Sequence, residues 1–183
     1  MQQAARGGGL FKYAEQECVD CDTACNGCNG GLKQSCMAYI QANGGVASEE
    51  SYPYKAVQGV CQGVADLGNV IVTDVIGVPP DQESQMLAAI ANGPISVAVD
   101  ASQDVFRSYS SGIITDGCPL ESSNHAINAV GYGTDEDGID YYIVRNSWGT
   151  SWGEDGYARL ARTGDGVGTC GIQAHSYWAS VAV

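Results

Sequence analysis

The chain has 183 residues, 44% of them hydrophobic, which suffices for one compact domain or two small lobes with a sizeable core and excludes a disordered tail. Its 21 acidic residues against 8 basic ones give a formal charge of -13. Such a field repels nucleic-acid phosphates and anionic lipid, so neither nucleic acid nor membrane is expected as a partner. No stretch is apolar for long enough to span a bilayer, and the opening MQQAARGGGL carries no apolar signal-peptide core.

In chain order, AEQECVD (residues 14–20) predicts a short helix, followed by the Gly/Asn/Asp-rich loop DTACNGCNGG. Leu32 to Asn43 predicts a second helix, with Leu32, Cys36, Tyr39 and Ile40 on one face and Gly44-Gly45 as its stop. SYPY is a turn, because Pro53 holds Tyr52 extended. Val70 to Val78 is β-branched and apolar, bounded by Gly68 and Pro79-Pro80, and predicts a strand. Asp81 to Ala91 has acids in its first turn and Asn92-Gly93 at its end, the pattern of a helix. From there the character turns to β: ISVAVD, HAINAVGYG, YYIVRNSW and YARLAR are strand-like. Helices first and strands later define an α+β protein with two lobes meeting near residue 80.

Eight cysteines suit an oxidising compartment. Cys18-x-x-Cys21 and Cys25-x-x-Cys28 resemble two halves of a zinc site, but only three residues separate the pairs. Zinc folds place about a dozen or more there. Disulfides are therefore expected, with no metal and no cofactor; a redox role for the Cys-x-x-Cys pairs is the weaker alternative.

One of the two histidines, His125, heads the apolar run SNHAINAVGYG. Alone it could be core filler, metal ligand or catalytic base, and a satisfied core histidine is the better reading. The strand YYIVRNSW, paired antiparallel to it, would bring Asn146 near His125. An amide oxygen there accepts the N–H of one ring nitrogen, fixes the tautomer and leaves the other nitrogen facing a reacting group. Trp148, two residues on, can cover that bond. The roles suit a Cys-His-Asn nucleophilic enzyme.

Together NHAINAVGYG, RNSWGTSWGEDGY, EQECVDC, GCNGG and GPISVAVD resemble the papain family of cysteine peptidases, near cathepsin L, in order from about Leu10 onward. The resemblance implies a two-lobe α+β fold: a partial helical lobe over residues 1–80 and an antiparallel β-barrel lobe over 81–183 carrying His125 and Asn146. It implies His125 as catalytic base, Asn146 as its orienting amide and Trp148 as the shielding indole. Gly30 and Gly31 match the glycine pair beside the bound peptide, and the Asn124 carbonyl matches an acceptor for a substrate amide. Leu32, Lys33, Ala98 and His175 match walls of a substrate pocket, with His175 unusual in being polar. Cys21 with Cys61 and Cys118 with Cys170 match two family bridges. Cys28 matches half of a third, and Cys18 with Cys36 is a further candidate pair.

The family's nucleophile lies in a QGxCGxCWAF-type segment, and nothing in MQQAARGGGLFKYA matches it. Cys25 is the nearest substitute, but it falls in the loop on the glycine-pair side. The expectation is therefore a papain-like endopeptidase scaffold truncated before its nucleophile and inactive alone, a pseudoenzyme. The alternative is a non-catalytic papain-fold protein that binds peptides, inhibits or serves as structure. Peptide or protein ligands are the expected partners, and a second chain or a second copy would complete the helical lobe. A lysosomal, vacuolar or secreted setting follows from the resemblance and the cysteines.

Overall fold

The structure, a computed structural model, describes Ala4, Gly7 and residues 9–63 and 70–182. Gly68, read above as bounding the first strand, and most of Met1 to Gly8 lie outside the described residues. The chain divides into two compact units, Met1–Ile76 with Ala179–Val183, and Gly77–Trp178.

The first unit is built on helix α1, Glu15–Cys21, and helix α2, Lys33–Asn43, with a 3-10 turn at Gly27–Asn29 between them. Gly44 ends α2 in the left-handed conformation at φ 78°, which costs glycine nothing. Much of what holds this unit is polar. Glu17, 1% exposed, accepts hydrogen bonds from Tyr39 Oη, Asn43 Nδ2 and the Ala47 amide. Gln16, one position earlier and equally buried, donates to Asp20 and to the Val57 carbonyl and accepts from the Lys55 amide. Disulfides join Cys18 to Cys36 and Cys21 to Cys61, tying α1 to α2 and to the following loop.

Strand β1, Ile71–Val78, runs into the second unit, followed by helix α3, Glu83–Ala91, and strand β2, Ile95–Val99. A one-turn helix α4, Asp104–Arg107, and the two-residue strand β3, Ile113–Ile114, precede β4, His125–Thr134. Strands β5, Asp140–Arg145, β6, Tyr157–Ala161, and β7, Ser176–Ala182, complete the sheet. Alternation along β4 to β6 turns Ile127, Ala129, Tyr142, Val144, Ala158 and Leu160 inward, where they meet Met86 and Ile90 of α3.

The strand order is β1-β7-β2-β4-β5-β6-β3. This corrects the barrel expectation. The sheet is open, with β1 and β3 as its edges, and it is mixed, because β3 pairs parallel to β6 through only Ile113 and Ile114. Closure needs two edges long enough to share a ladder, and a two-residue strand offers too few donors and acceptors for that.

A third disulfide, Cys118–Cys170, closes a separation of 52 residues within the second unit. Both cysteines are buried, and the Cys170 amide donates to the Cys118 carbonyl. Replacing both by Ala is expected to cost about 2–4 kcal/mol, chiefly by freeing the unfolded chain. The change should appear as a lower urea midpoint; an unchanged midpoint would show that the bridge constrains nothing.

Candidate active site

The site in the second unit grows from one strand pair. The β4–β5 register sets Asn128 opposite Arg145, so one step further Ile127 faces Asn146. His125 projects from the same face two residues from Ile127, which brings its ring to the Asn146 side chain. His125 Nε2 lies 2.8 Å from Asn146 Oδ1. The same oxygen accepts the Ser147 amide at 2.8 Å, and this backbone donor fixes which end of the carboxamide faces the ring. Nε2 therefore donates, and Nδ1 is the nitrogen left to exchange a proton with substrate or nucleophile. The Asn146 amide donates to Gly156, anchoring the residue beyond the end of β5, and only 8% of it is exposed.

Trp148 stacks on the imidazole at a centroid distance of 4.9 Å and 28° between planes. Behind it stand Phe106, edge-on to both His125 and Trp148, and Trp152, edge-on to Trp148. Trp152 is itself held by donation from Nε1 to the Arg107 carbonyl. The indole thus covers one side of the His125–Asn146 bond and keeps water from competing for it.

On the other flank, β2 pairs with β4 so that Val99 faces His125. Asp100 follows directly, fully buried, and accepts from the amides of Ser102, Glu121 and Ser122 and from Asn124 Nδ2. The Ser102 hydroxyl and these donors hold its carboxyl well below the usual carboxylate range, despite burial. Sequence reasoning passed over Asp100 and Phe106. The only signal for the first is an acid directly after the β-branched run ISVAV; a lone Phe before Arg107 gave none.

The remaining candidate residues fall in both units. In the first, Gly30 closes the 3-10 turn at φ 107°, and Gly31 is required by a neighbour: a Cβ there would stand 2.4 Å from Cys25 Sγ. Leu32 is 62% exposed, and its amide points at Cys25 Sγ, 3.3 Å away. Lys33 opens α2, and burial pushes its ammonium pKa down. In the second unit the buried Ala98 donates its amide to the His175 carbonyl at 3.0 Å, so these two share one backbone junction. The exposed His175 lines a groove of about 340 Å³ with Pro80, Asp81, Val167 and Tyr177. Asn124, exposed, directly precedes His125. Cys25 and Cys28 are free thiols, Cys25 the less exposed of the two. Among the described residues no cluster of His, Cys, Asp and Glu is arranged to hold a metal ion.

In the second unit, then, an imidazole has one nitrogen pinned by an amide, an indole stacked on its face and its second nitrogen left to accept a proton. The papain family cysteine protease model matches residues 1–180, and the chain belongs to that family. It is 44% identical over 173 residues to the cysteine endopeptidase Rep1 of Oryza sativa, covering 92% of this chain and 46% of that protein. It is 41% identical over 184 residues to cathepsin L of Sarcophaga peregrina, covering 98% of this chain and 54% of that one. The chain thus spans about half the length of these curated relatives. The solved structure of bromelain from Ananas comosus, in complex with the E64 inhibitor, superposes with a TM-score of 0.89 at 40% identity, over 96% of this chain and 81% of that chain.

These matches correct the expectation of a truncated, inactive pseudoenzyme with a partial helical lobe. The family match covers residues 1–180 of this chain, and solved proteases superpose on 96–97% of it. Within the matched domain the chain retains a cysteine with a free thiol, Cys25, so absence of a nucleophile is not a property of this sequence. No QGxCGxCWAF-type segment occurs in the chain, and Cys25 lies in the loop between α1 and the 3-10 turn. The relatives, with three disulfides in this chain, support a general secretory or vacuolar destination.

Proposed function

We propose that the chain acts as a cysteine endopeptidase, hydrolysing peptide bonds by acyl transfer. The observation that carries this is the 2.8 Å bond from His125 Nε2 to Asn146 Oδ1 beneath the stacked Trp148. It leaves Nδ1 as the proton acceptor for a thiol. Cys25 and Cys28 are the free thiols, and Cys25 is taken as the candidate nucleophile, with Cys28 as the control. In this reading the thiolate attacks the scissile carbonyl, His125 protonates the leaving amine through Nδ1, and the same nitrogen then activates the water that releases the acyl group. Asn146 keeps the ring in one tautomer throughout.

Substrates are peptides or unfolded proteins. Gly30, Gly31, Leu32 and Lys33 in the first unit, and Ala98, Asn124, Trp148 and His175 in the second, are the candidate contacts. A glycine pair suits a strand of substrate lying close to backbone, and the exposed Leu32 and Trp148 offer apolar contact area. A lysosomal, vacuolar or extracellular site of action fits the disulfides.

The test is an epoxysuccinyl thiol probe of the E64 type, the inhibitor bound in the bromelain structure, combined with a dipeptidyl fluorogenic substrate. Turnover blocked by the probe, with its mass mapped to Cys25 and both lost in C25A but retained in C28A, is the expected result. Turnover with the label elsewhere removes Cys25 from the role. No turnover and no His125-dependent labelling removes the endopeptidase reading.

A further inference from the structure

Residues 119–124 lead into β4 and its first residue, His125, without belonging to a helix or strand themselves. At one end Cys118 is tethered to Cys170, and at the other the β2–β4 ladder begins at Val99 and His125. Between these points the segment is gathered onto one side chain. Asp100 Oδ2 accepts the amides of Glu121 at 2.9 Å and Ser122 at 2.8 Å, while Oδ1 accepts Asn124 Nδ2 at 3.0 Å. The Asn124 carboxamide is then held at its other end too, its Oδ1 accepting the Ala101 amide at 2.9 Å. The Asn124 backbone amide donates to the Val99 carbonyl at 3.2 Å. Asp100 is in turn fixed by its own amide, which donates to the Cys170 carbonyl at 2.8 Å, and by the Ser102 amide and hydroxyl.

Among the described residues no cation pairs with Asp100, and a fully buried carboxylate without one is costly unless its lone pairs are filled by well-placed donors. Here the donors are neutral, and three of them come from the few residues just before His125. A neutral amide at this position cannot accept at both ends, so the geometry is specific to a charged acceptor.

We infer that Asp100 is a positioning residue for the site: its carboxylate fixes the Glu121–Asn124 segment, and thereby sets the place and orientation of the His125 ring and of the Asn124 backbone beside it. The inference rests on the reading of His125 as the base. It differs from a merely structural role because disturbing Asp100 must change the ring, not only the stability.

The chain has only two histidines, so its imidazole nitrogens can be read directly by long-range proton–nitrogen NMR on the whole labelled protein, with H175Q assigning the spectra. In the unaltered chain His125 is expected as one species protonated at Nε2. In D100N the Glu121 and Ser122 amides should exchange with solvent about tenfold faster or more, since each loses a bond to a charged acceptor. The His125 ring should become a mixture of tautomers or broaden, and kcat should fall about tenfold with a smaller change in KM. D100N/N124D, which restores one donor–acceptor pair between the two side chains, should recover part of the ring signal.

A folded D100N with faster exchange at Glu121 and Ser122 but an unchanged His125 ring overturns the inference, as does unchanged exchange at those amides. If D100N does not fold, S102A keeps the carboxylate and removes one donor, and the same two readings apply at smaller amplitude. Failure of the endopeptidase reading is separately visible: an unaltered chain with a locked ring and no turnover removes the base function while the ring comparison still decides the placement.

Discussion

H125A is expected to lower kcat/KM for a dipeptidyl fluorogenic substrate by about a thousandfold or more, while changing the urea midpoint little. The first half follows from chemistry. Without the ring nothing takes the thiol proton or returns it to the leaving amine, and a positioned acid–base group alone contributes about 10²–10⁴-fold. The second half follows from placement. His125 is half-buried at the start of β4, and the β2–β4 ladder runs on from it through Ile127 and Ala129 without needing its side chain. N146A probes the same ring from behind. It removes the acceptor of Nε2–H and leaves the Ser147 amide unpaired, so about a tenfold to hundredfold loss in kcat is expected. Because the tautomer is the quantity lost, KM should move less than kcat. If H125A retained full turnover, the base would have to be sought elsewhere and the endopeptidase mechanism proposed here would be wrong.

The pairing of His125 with Asn146 was legible because its signal is local. A polar residue heading an apolar strand, and an Asn where a second such strand ends, become neighbours through a two-strand ladder, the shortest-range tertiary contact a sheet makes. The long elements were legible for the same reason. α2 ends at a Gly-Gly stop, and β2, β4, β5 and β6 are runs of mainly β-branched, aromatic and small apolar residues between Gly, Asp and Ser punctuation. What escaped depends on many partners at once. β7 reads SYWASVA, with small residues interrupting the apolar alternation, and acquires its strand from β2 and the other neighbours in the sheet order. α4 and β3 are too short to carry a period. The open sheet was mistaken for a barrel because the family resemblance supplied closure, whereas the edge that decides it, Ile113–Ile114, is two residues long. Cys25 was set aside for its place in the loop on the glycine-pair side; in the structure it is a free thiol whose Sγ meets the Leu32 amide and lies against Gly31. Asp100 shows in the sequence only as an acid after ISVAV, and its role does not, since its donors at 121, 122 and 124 lie more than twenty residues away.

F106A should combine a large stability loss in the second unit with a specific loss of activity. Phe106 is fully buried on the short helix α4, with its ring 5.7 Å from Trp148, 5.2 Å from Trp152 and 6.5 Å from His125 by centroid. Truncation to Ala removes the transfer free energy of the ring and leaves a cavity among aromatic neighbours, at a cost of about 3–5 kcal/mol. For a chain of this size that lowers Tm by about 10 °C. The activity loss has a separate origin. Trp148 is 41% exposed, so its pose over the imidazole depends on the walls behind it, and Phe106 is one of them. Without that wall the indole can swing away and admit water to the His125–Asn146 bond. F106L separates the two effects: it refills most of the volume and should recover most of the stability, but it lacks the ring edge that meets the indole. Its activity, measured well below its Tm, should therefore stay below that of the unaltered chain by several-fold. Equal recovery of stability and activity in F106L would reduce Phe106 to core filling and leave the indole to be held by Trp152 alone.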